Sequence, residues 1–249
     1  MIQSDFEHIA RSLIHAPPLL HPEHSCLTAD LDHASPARAS FTDIDQHRDQ
    51  RLGRRFEHLI MALIQTLPDY QLISRNLVIS DATRTLGELD AILFNRRQQE
   101  FEHWEITLKF YLGISEQHWP GPDPRDNLQR KLTHLCTHQF PMDQHPEAQR
   151  ALAQLGVPRI DQRRLLSRGC LYYPADYPLE TPSSAHLDHQ RGVWWRADAL
   201  PPTWLWQPIH KQQWLCPSYM SNKSINRLAS AELLVYVQQA RSPVMVHAF

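Results

Sequence analysis

The sequence predicts an α/β fold: a mixed central β-sheet flanked by helices, with a β-containing elaboration at the C-terminal end. Three observations predict it. Residues 87–94 and 102–111 alternate apolar and polar side chains with period two, as strands with one buried face do. Residues 50–67 and 126–139 carry apolar stripes at helical spacing. With a further strand over 72–80, the order becomes helix, strand, strand, strand, helix.

Along the chain, Phe6, Ile9, Ala10, Leu13 and Ile14 predict a helix over 5–15, stopped by Pro17-Pro18. About thirty residues rich in His, Asp, Ser and Pro follow with no period and read as a long excursion. The helix over 50–67 buries Phe56, Leu59, Ile60, Leu63 and Ile64, and Pro68-Asp69 ends it. Arg51, Arg54 and Arg55 open that helix, where positive charge opposes the dipole. They serve either a phosphate outside the helix or a solvated basic turn.

In the first hairpin strand Leu89, Ala91 and Leu93 point one way, and Glu88 and Asp90 the other. In the second, Ile106, Leu108 and Phe110 share one face, and Glu105, Thr107 and Lys109 the other. The polar connection 95–100 is of hairpin length. Pairing the strands puts Glu88, Asp90, Glu105 and Lys109 on one surface, either as a site or as a solvated charged face.

The helix over 126–139 has Leu128, Leu132 and Leu135 as its core stripe and carries Gln129, Lys131, His134 and His138. The two histidines share a face, but no HExxH pattern or third ligand accompanies them, so zinc is disfavoured. Further on, 147–155 is helical, and the basic stretch 160–168 leads into a strand at Cys170-Leu171-Tyr172-Tyr173. Residues 193–196 and 213–215 are short strand candidates, 228–240 a final helix, and Val244-Met245-Val246 an edge strand. Trp194, Trp195, Trp204, Trp206 and Trp214 offer base-stacking surfaces, but aromatics this dense predict the core of a small β-rich subdomain.

A chain of 249 residues buries a full core and fits one domain with an elaborated end. The net charge of −2 supplies no global field for nucleic acid, so any such surface is local. Cys26, Cys136, Cys170 and Cys216 form no CxxC pair, which leaves a zinc ribbon and a disulfide framework without support. The first residues lack the basic and apolar regions of a signal peptide, and no run reaches the ~18 apolar residues of a membrane span. A reduced, cytoplasmic protein with no membrane partner is expected.

The segments Gly87-Glu88-Leu89-Asp90, Trp104-Glu105 and Lys109-Phe110-Tyr111-Leu112-Gly113 resemble the core hairpin of the PD-(D/E)XK nuclease superfamily. With Arg54-Arg55-Phe56-Glu57, Trp119-Pro120-Gly121-Pro122, Lys131-Leu132, His134-Leu135, His138-Gln139 and 169–174, the chain resembles an uncharacterised bacterial domain-of-unknown-function family assigned to that superfamily. The resemblance implies a restriction-endonuclease-like core in one nuclease-like domain over 1–249. The core covers about 50–175 and the elaboration 176–249. It also implies a metal-dependent nuclease acting on DNA or RNA, or a catalytically inactive nuclease-like module binding nucleic acid or protein.

The implied catalytic residues are Asp90, Glu105, Lys109 and Glu57, the last by its place on the helix before the sheet. Asp90, Glu105 and Glu88 are the expected ligands of Mg²⁺ or Mn²⁺, an ion satisfied by one or two carboxylates plus phosphate oxygens. Arg51, Arg54, Arg55, Gln129 and Lys131 are the residues expected to bind nucleic acid. One departure stands out: the superfamily's acid lies two residues before its lysine, where this chain has Thr107. Glu105 and Lys109 are therefore ~13 Å apart along a strand instead of ~7 Å.

Overall fold

The computed structural model describes residues 3–21, 26–42, 51–123, 125–196, 206–208, 214–215, 234–237 and 243–247. Two helices form where the apolar stripes predict them, α1 (Gln3–His15) and α2 (Leu52–Ile64). Their stripes, Phe6, Ile9 and Leu13 with Phe56, Leu59, Ile60 and Leu63, meet in one core with Ala91, Leu93, Trp104, Ile106 and Leu166. Between the helices the excursion contributes strand β1 (Leu27–Thr28) and a short 3-10 turn, Pro36–Arg38.

The sheet is built on β2 (Tyr70–Ser80), β3 (Thr85–Asn95), β4 (Glu100–Leu112), β5 (Gln162–Pro174) and β6 (Arg191–Arg196). The meander β2–β3–β4 is antiparallel, and β5 then joins β4 in parallel from Glu102↔Gln162 to Leu112↔Tyr172. A parallel neighbour needs a crossover. It is supplied by α3 (Leu128–His134), a π-helical turn Leu135–Gln139, a 3-10 turn Phe140–Gln144 and α4 (Pro146–Gln154). These pack on the face opposite α2, burying Leu128, Leu132, Leu135 and Phe140 with Tyr111 and Leu171, and Met142 and Leu152 with Leu89 and Ile92. The result is a mixed α/β sheet with helices on both faces.

The chain's end extends the same sheet through β7 (Trp206–Pro208), β8 (Leu234–Val237) and β9 (Pro243–His247), in the order β6-β9-β8-β7. Three expectations are corrected here. The helix expected over 228–240 is a strand at Leu234–Val237, and the rest of that span lies outside the described residues. Its sequence, Leu-Val-Tyr-Val, is β-branched and aromatic, which suits a pleated surface between two neighbours. The segment 244–246 is no edge strand, because β9 lies between β6 and β8. Trp214 and Leu215 form a helical turn instead of a strand.

Three smaller departures follow from tertiary structure. The stretch 160–168 is largely strand, since β5 begins at Gln162. The helix expected to run to Gln139 ends as an α-helix at His134 and widens into the π turn. On β3 the alternation breaks: Ala91 and Leu93 enter the α2-side core, whereas Leu89 is buried with Ile92 on the other side. The break spans Asp90. On β2, between the pairs Arg75↔Ala91 and Leu77↔Leu89, Asn76 adopts the left-handed φ of 51°.

Buried polar groups fix the lower part of β4. Glu102, fully buried, accepts from Asn95 Nδ2 (2.9 Å), Trp104 Nε1 (2.7 Å) and Arg164 Nε (2.7 Å), tying β3, β4 and β5 together. Higher up, Gly169 pairs with Lys109 at φ +134°, and a Cβ there would lie 1.7 Å from the Lys109 carbonyl oxygen. Gly169→Ala is therefore expected to lower stability by at least about 2 kcal/mol, backbone strain and steric overlap each costing ~1–3 kcal/mol. Urea unfolding checks this, and a change below about half a kcal/mol would contradict it.

Candidate active site at the strand fork

The β3–β4 ladder runs from Asn95↔Glu100 to Ala91↔Trp104 and stops there. The backbone N–H of Ile106, two residues beyond, donates instead to Asp90 Oδ2 at 2.8 Å. A side chain thus replaces the neighbouring strand as acceptor, and β3 and β4 part while β4 stays in register with β5. An open cleft of about 1130 Å³ occupies the fork.

One wall of the cleft is acidic, with Glu57 from α2 and Glu88 and Asp90 from β3. Burial pushes the Asp90 carboxyl well above the usual range, and repulsion from Glu105 and Glu57 adds to this against the Ile106 N–H. Glu57 is raised as well, by burial first and then by Glu88, with Arg54 opposing. These carboxylates crowd one another. Arg51 and Arg54, at the start of α2, line the same cleft, as do Lys109 and Arg125.

Of the residues predicted from sequence, Glu57, Glu88, Asp90, Lys109, Arg51 and Arg54 therefore share one cavity. Glu105 does not line it. At 1% exposure it lies inside, its Oε2 accepting from Gln139 Nε2 at 2.5 Å and its Oε1 3.0 Å from His103 Nε2. Lys109 is held by Asp126 at 2.5 Å, and the second oxygen of Asp126 accepts from Tyr111 Oη at 3.3 Å. Lys131 points inward and donates to Gln139 Oε1 at 2.5 Å. Burial lowers its pKa, while Glu105 and Asp90 pull it back up.

Two of the residues expected to bind nucleic acid lie outside the cleft. Arg55 is 2% exposed, because the turn of α2 that presents Arg54 to the cleft sends Arg55 inward. Gln129 is exposed but lines a separate depression with Arg130 and His134, outside the cleft. The His134 and His138 rings lie 4.9 Å apart, and His138 Nε2 is 3.0 Å from the Leu86 carbonyl oxygen. Among the described residues no three His, Cys, Asp or Glu side chains are gathered to hold a metal by themselves.

Sequence reasoning missed Asp126, Gln139 and His103 as parts of the site. His103 lies two residues before Glu105 on β4, so the period-two pattern already places it on the same face. Asp126 follows a Pro-rich loop whose path no periodicity predicts. Gln139 depends on the π turn.

The donor set fits a hard divalent cation. Asp90 engages one oxygen with Ile106, and Glu57 and Glu88 line the same cleft. Mg²⁺ is satisfied by one or two carboxylates with water and phosphate oxygens, so a protein cage of three ligands is not required.

Fold and site together define an α/β protein with a cleft of carboxylates and arginines at a strand fork. The chain belongs to the family described as a domain of unknown function (DUF1853), whose model matches residues 10–249. No curated protein and no solved structure matches it. Among the described residues no helix is long and apolar enough to cross a membrane.

Proposed function

We propose that the protein is a metal-dependent, nuclease-like phosphodiester hydrolase of the PD-(D/E)XK type, built on a restriction-endonuclease-like core and acting on DNA or RNA. One observation carries the reading: Glu57, Glu88 and Asp90 share a single open cleft with Arg51 and Arg54. Asp90, with Glu57 or Glu88, would hold Mg²⁺ or Mn²⁺. The ion, when bound, supplies charge at the phosphoryl oxygens and a water of lowered pKa. Arg51 and Arg54 neutralise the phosphate, and their fork-shaped donors suit its oxygens. Lys109 reaches the substrate by exchanging Asp126 for a phosphate oxygen. A cytoplasmic setting belongs to the same reading.

Calorimetric titration with Mn²⁺, followed by cleavage assays on duplex DNA and single-stranded RNA, tests it. Binding of the cation and cation-dependent cleavage are expected. A protein that binds neither Mg²⁺ nor Mn²⁺ leaves the second reading, an inactive nuclease-like module that binds nucleic acid or a protein. That reading is favoured by the pairing of Lys109 with Asp126 and by the withdrawal of Glu105 from the cleft.

Replacing Arg51 and Arg54 together by Ala is expected to weaken duplex binding at every sequence. The log–log salt slope should become shallower by about 0.9 for each phosphate that the variant no longer neutralises. Fluorescence anisotropy between low and high salt measures both. Unchanged affinity and slope would make the two arginines solvated surface.

A further inference from the structure

Behind the cleft runs a buried chain of polar groups that the proposed chemistry does not use. Lys131 Nζ donates to Gln139 Oε1, Gln139 Nε2 donates to Glu105 Oε2, and Glu105 Oε1 lies 3.0 Å from His103 Nε2. The amide of Gln139 has only one workable orientation here. An ammonium only donates and a carboxylate only accepts, so the oxygen must face Lys131 and the nitrogen Glu105. Gln139 therefore links a positive charge on one helix to a carboxylate on the sheet.

The geometry around the carboxylates has a common form. Asp90 is tied by Oδ2 to the Ile106 N–H, and Glu105 by Oε2 to the Gln139 amide. Glu105 Oε1 is buried against His103 Nε2, 3.0 Å away. Burying a carboxylate costs free energy unless it is paired and hydrogen-bonded, so a carboxylate fixed here at both oxygens is a first sign of function. The π turn supplies a second sign. Eight residues along an ideal α-helix rotate by about 80° beyond two full turns, so Lys131 and Gln139 would face apart. The π turn Leu135–Gln139 brings them together, and such turns recur at functional sites.

We propose that Gln139 and Lys131 are the positioning residues of this site, fixing Glu105 through its Oε2 beside a divalent cation held at Asp90. The proposal rests on the metal-dependent reading above. The charged and titratable groups facing Glu105 are His103 on its own strand, Asp90 on β3, Glu57 on α2, Lys131 and His134 on α3, and Cys26 before β1. Of these Lys131 carries the positive charge, which is why the amide oxygen must face it.

The test has two arms, both on the full chain. In the first, Gln139→Glu places two carboxylates in contact and is expected to lower stability to urea. Adding Glu105→Gln exchanges amide and carboxylate, keeps an acceptor for Lys131, and should restore most of the loss. A neutral Gln139→Glu, or a double variant no better than the single, overturns the proposal. In the second arm, Gln139→Met and Lys131→Met are titrated with Mn²⁺ by calorimetry. Each should weaken binding about 10–100-fold, as loss of a group orienting a ligand does, while Lys131→Arg recovers part of it. If wild type binds Mn²⁺ and both Met variants bind it equally well, the positioning role is wrong and the metal reading stands. If wild type binds no cation, both fall together.

Discussion

Asp90→Asn is expected to abolish Mn²⁺ binding and to lower cleavage by on the order of a thousandfold, while the metal-free protein becomes more stable at neutral pH. The rate effect corresponds to several kcal/mol of metal-derived charge stabilisation, each ~1.4 kcal/mol being tenfold. The stability effect follows from the sign of the Asp90 shift. Its carboxyl is raised in the folded state by burial and by Glu105. The stability associated with protonated Asp90 is therefore present below the ordinary aspartate pKa of about 3.9 and lost as pH rises through the folded value. Asn does not ionise, and its amide oxygen still accepts from Ile106. Calorimetric melting should then show the variant above wild type at neutral pH and level with it below the ordinary aspartate pKa. Mn²⁺ should raise the melting temperature of wild type alone. A variant that melts below wild type at neutral pH would assign Asp90 a structural role.

The largest loss of stability is expected lower on β4. Glu102→Leu removes the acceptor shared by Asn95, Trp104 and Arg164. Breaking a buried pair by deleting one partner costs ~3–5 kcal/mol. In a chain of this size that lowers the melting temperature by roughly 6–20 °C. Adding Arg164→Leu should recover part of the loss, because the stranded guanidinium goes with it. Mn²⁺ affinity of the folded fraction should not change. Glu102 and Glu105 are an odd number of residues apart on one strand, so one holds the sheet together and the other faces the helices that carry Lys131 and Gln139.

Legibility in the sequence followed the range of the forces involved. The stripes of α1 and α2 and the alternation of β4 are local patterns, and the elements formed within a few residues of the expected bounds. The gathering of Glu88, Asp90 and Lys109 was readable because strand order and period two place them near one another, whereas Glu57 was placed by the resemblance and Glu105, expected with them, lies outside the cleft. Four things were not readable. The break in alternation at Asp90 falls opposite a left-handed residue on another strand, Asn76, which no local pattern announces. The outward Arg54 and inward Arg55 differ by the ~100° that separates neighbours on a helix, which a stripe with fuzzy edges does not resolve. The partner of Lys109 comes from a loop whose course no periodicity fixes. At β8, a four-residue apolar run is compatible with either helix or strand until its neighbours are known.

The Ile106 amide gains an unusual property from its place in the fork. Its proton is held by a carboxylate instead of a carbonyl, at 2.8 Å, in a strand whose other edge is fully paired. The strength of that bond varies with the charge on Asp90, since an ionised acceptor binds an N–H more strongly than a neutral one. The chemical shift of a single backbone amide thereby records protonation of Asp90 and, on the metal-dependent reading, would record cation occupancy at the fork. A label on isoleucine nitrogen turns the sheet itself into an indicator, readable in the resting protein before any substrate is known.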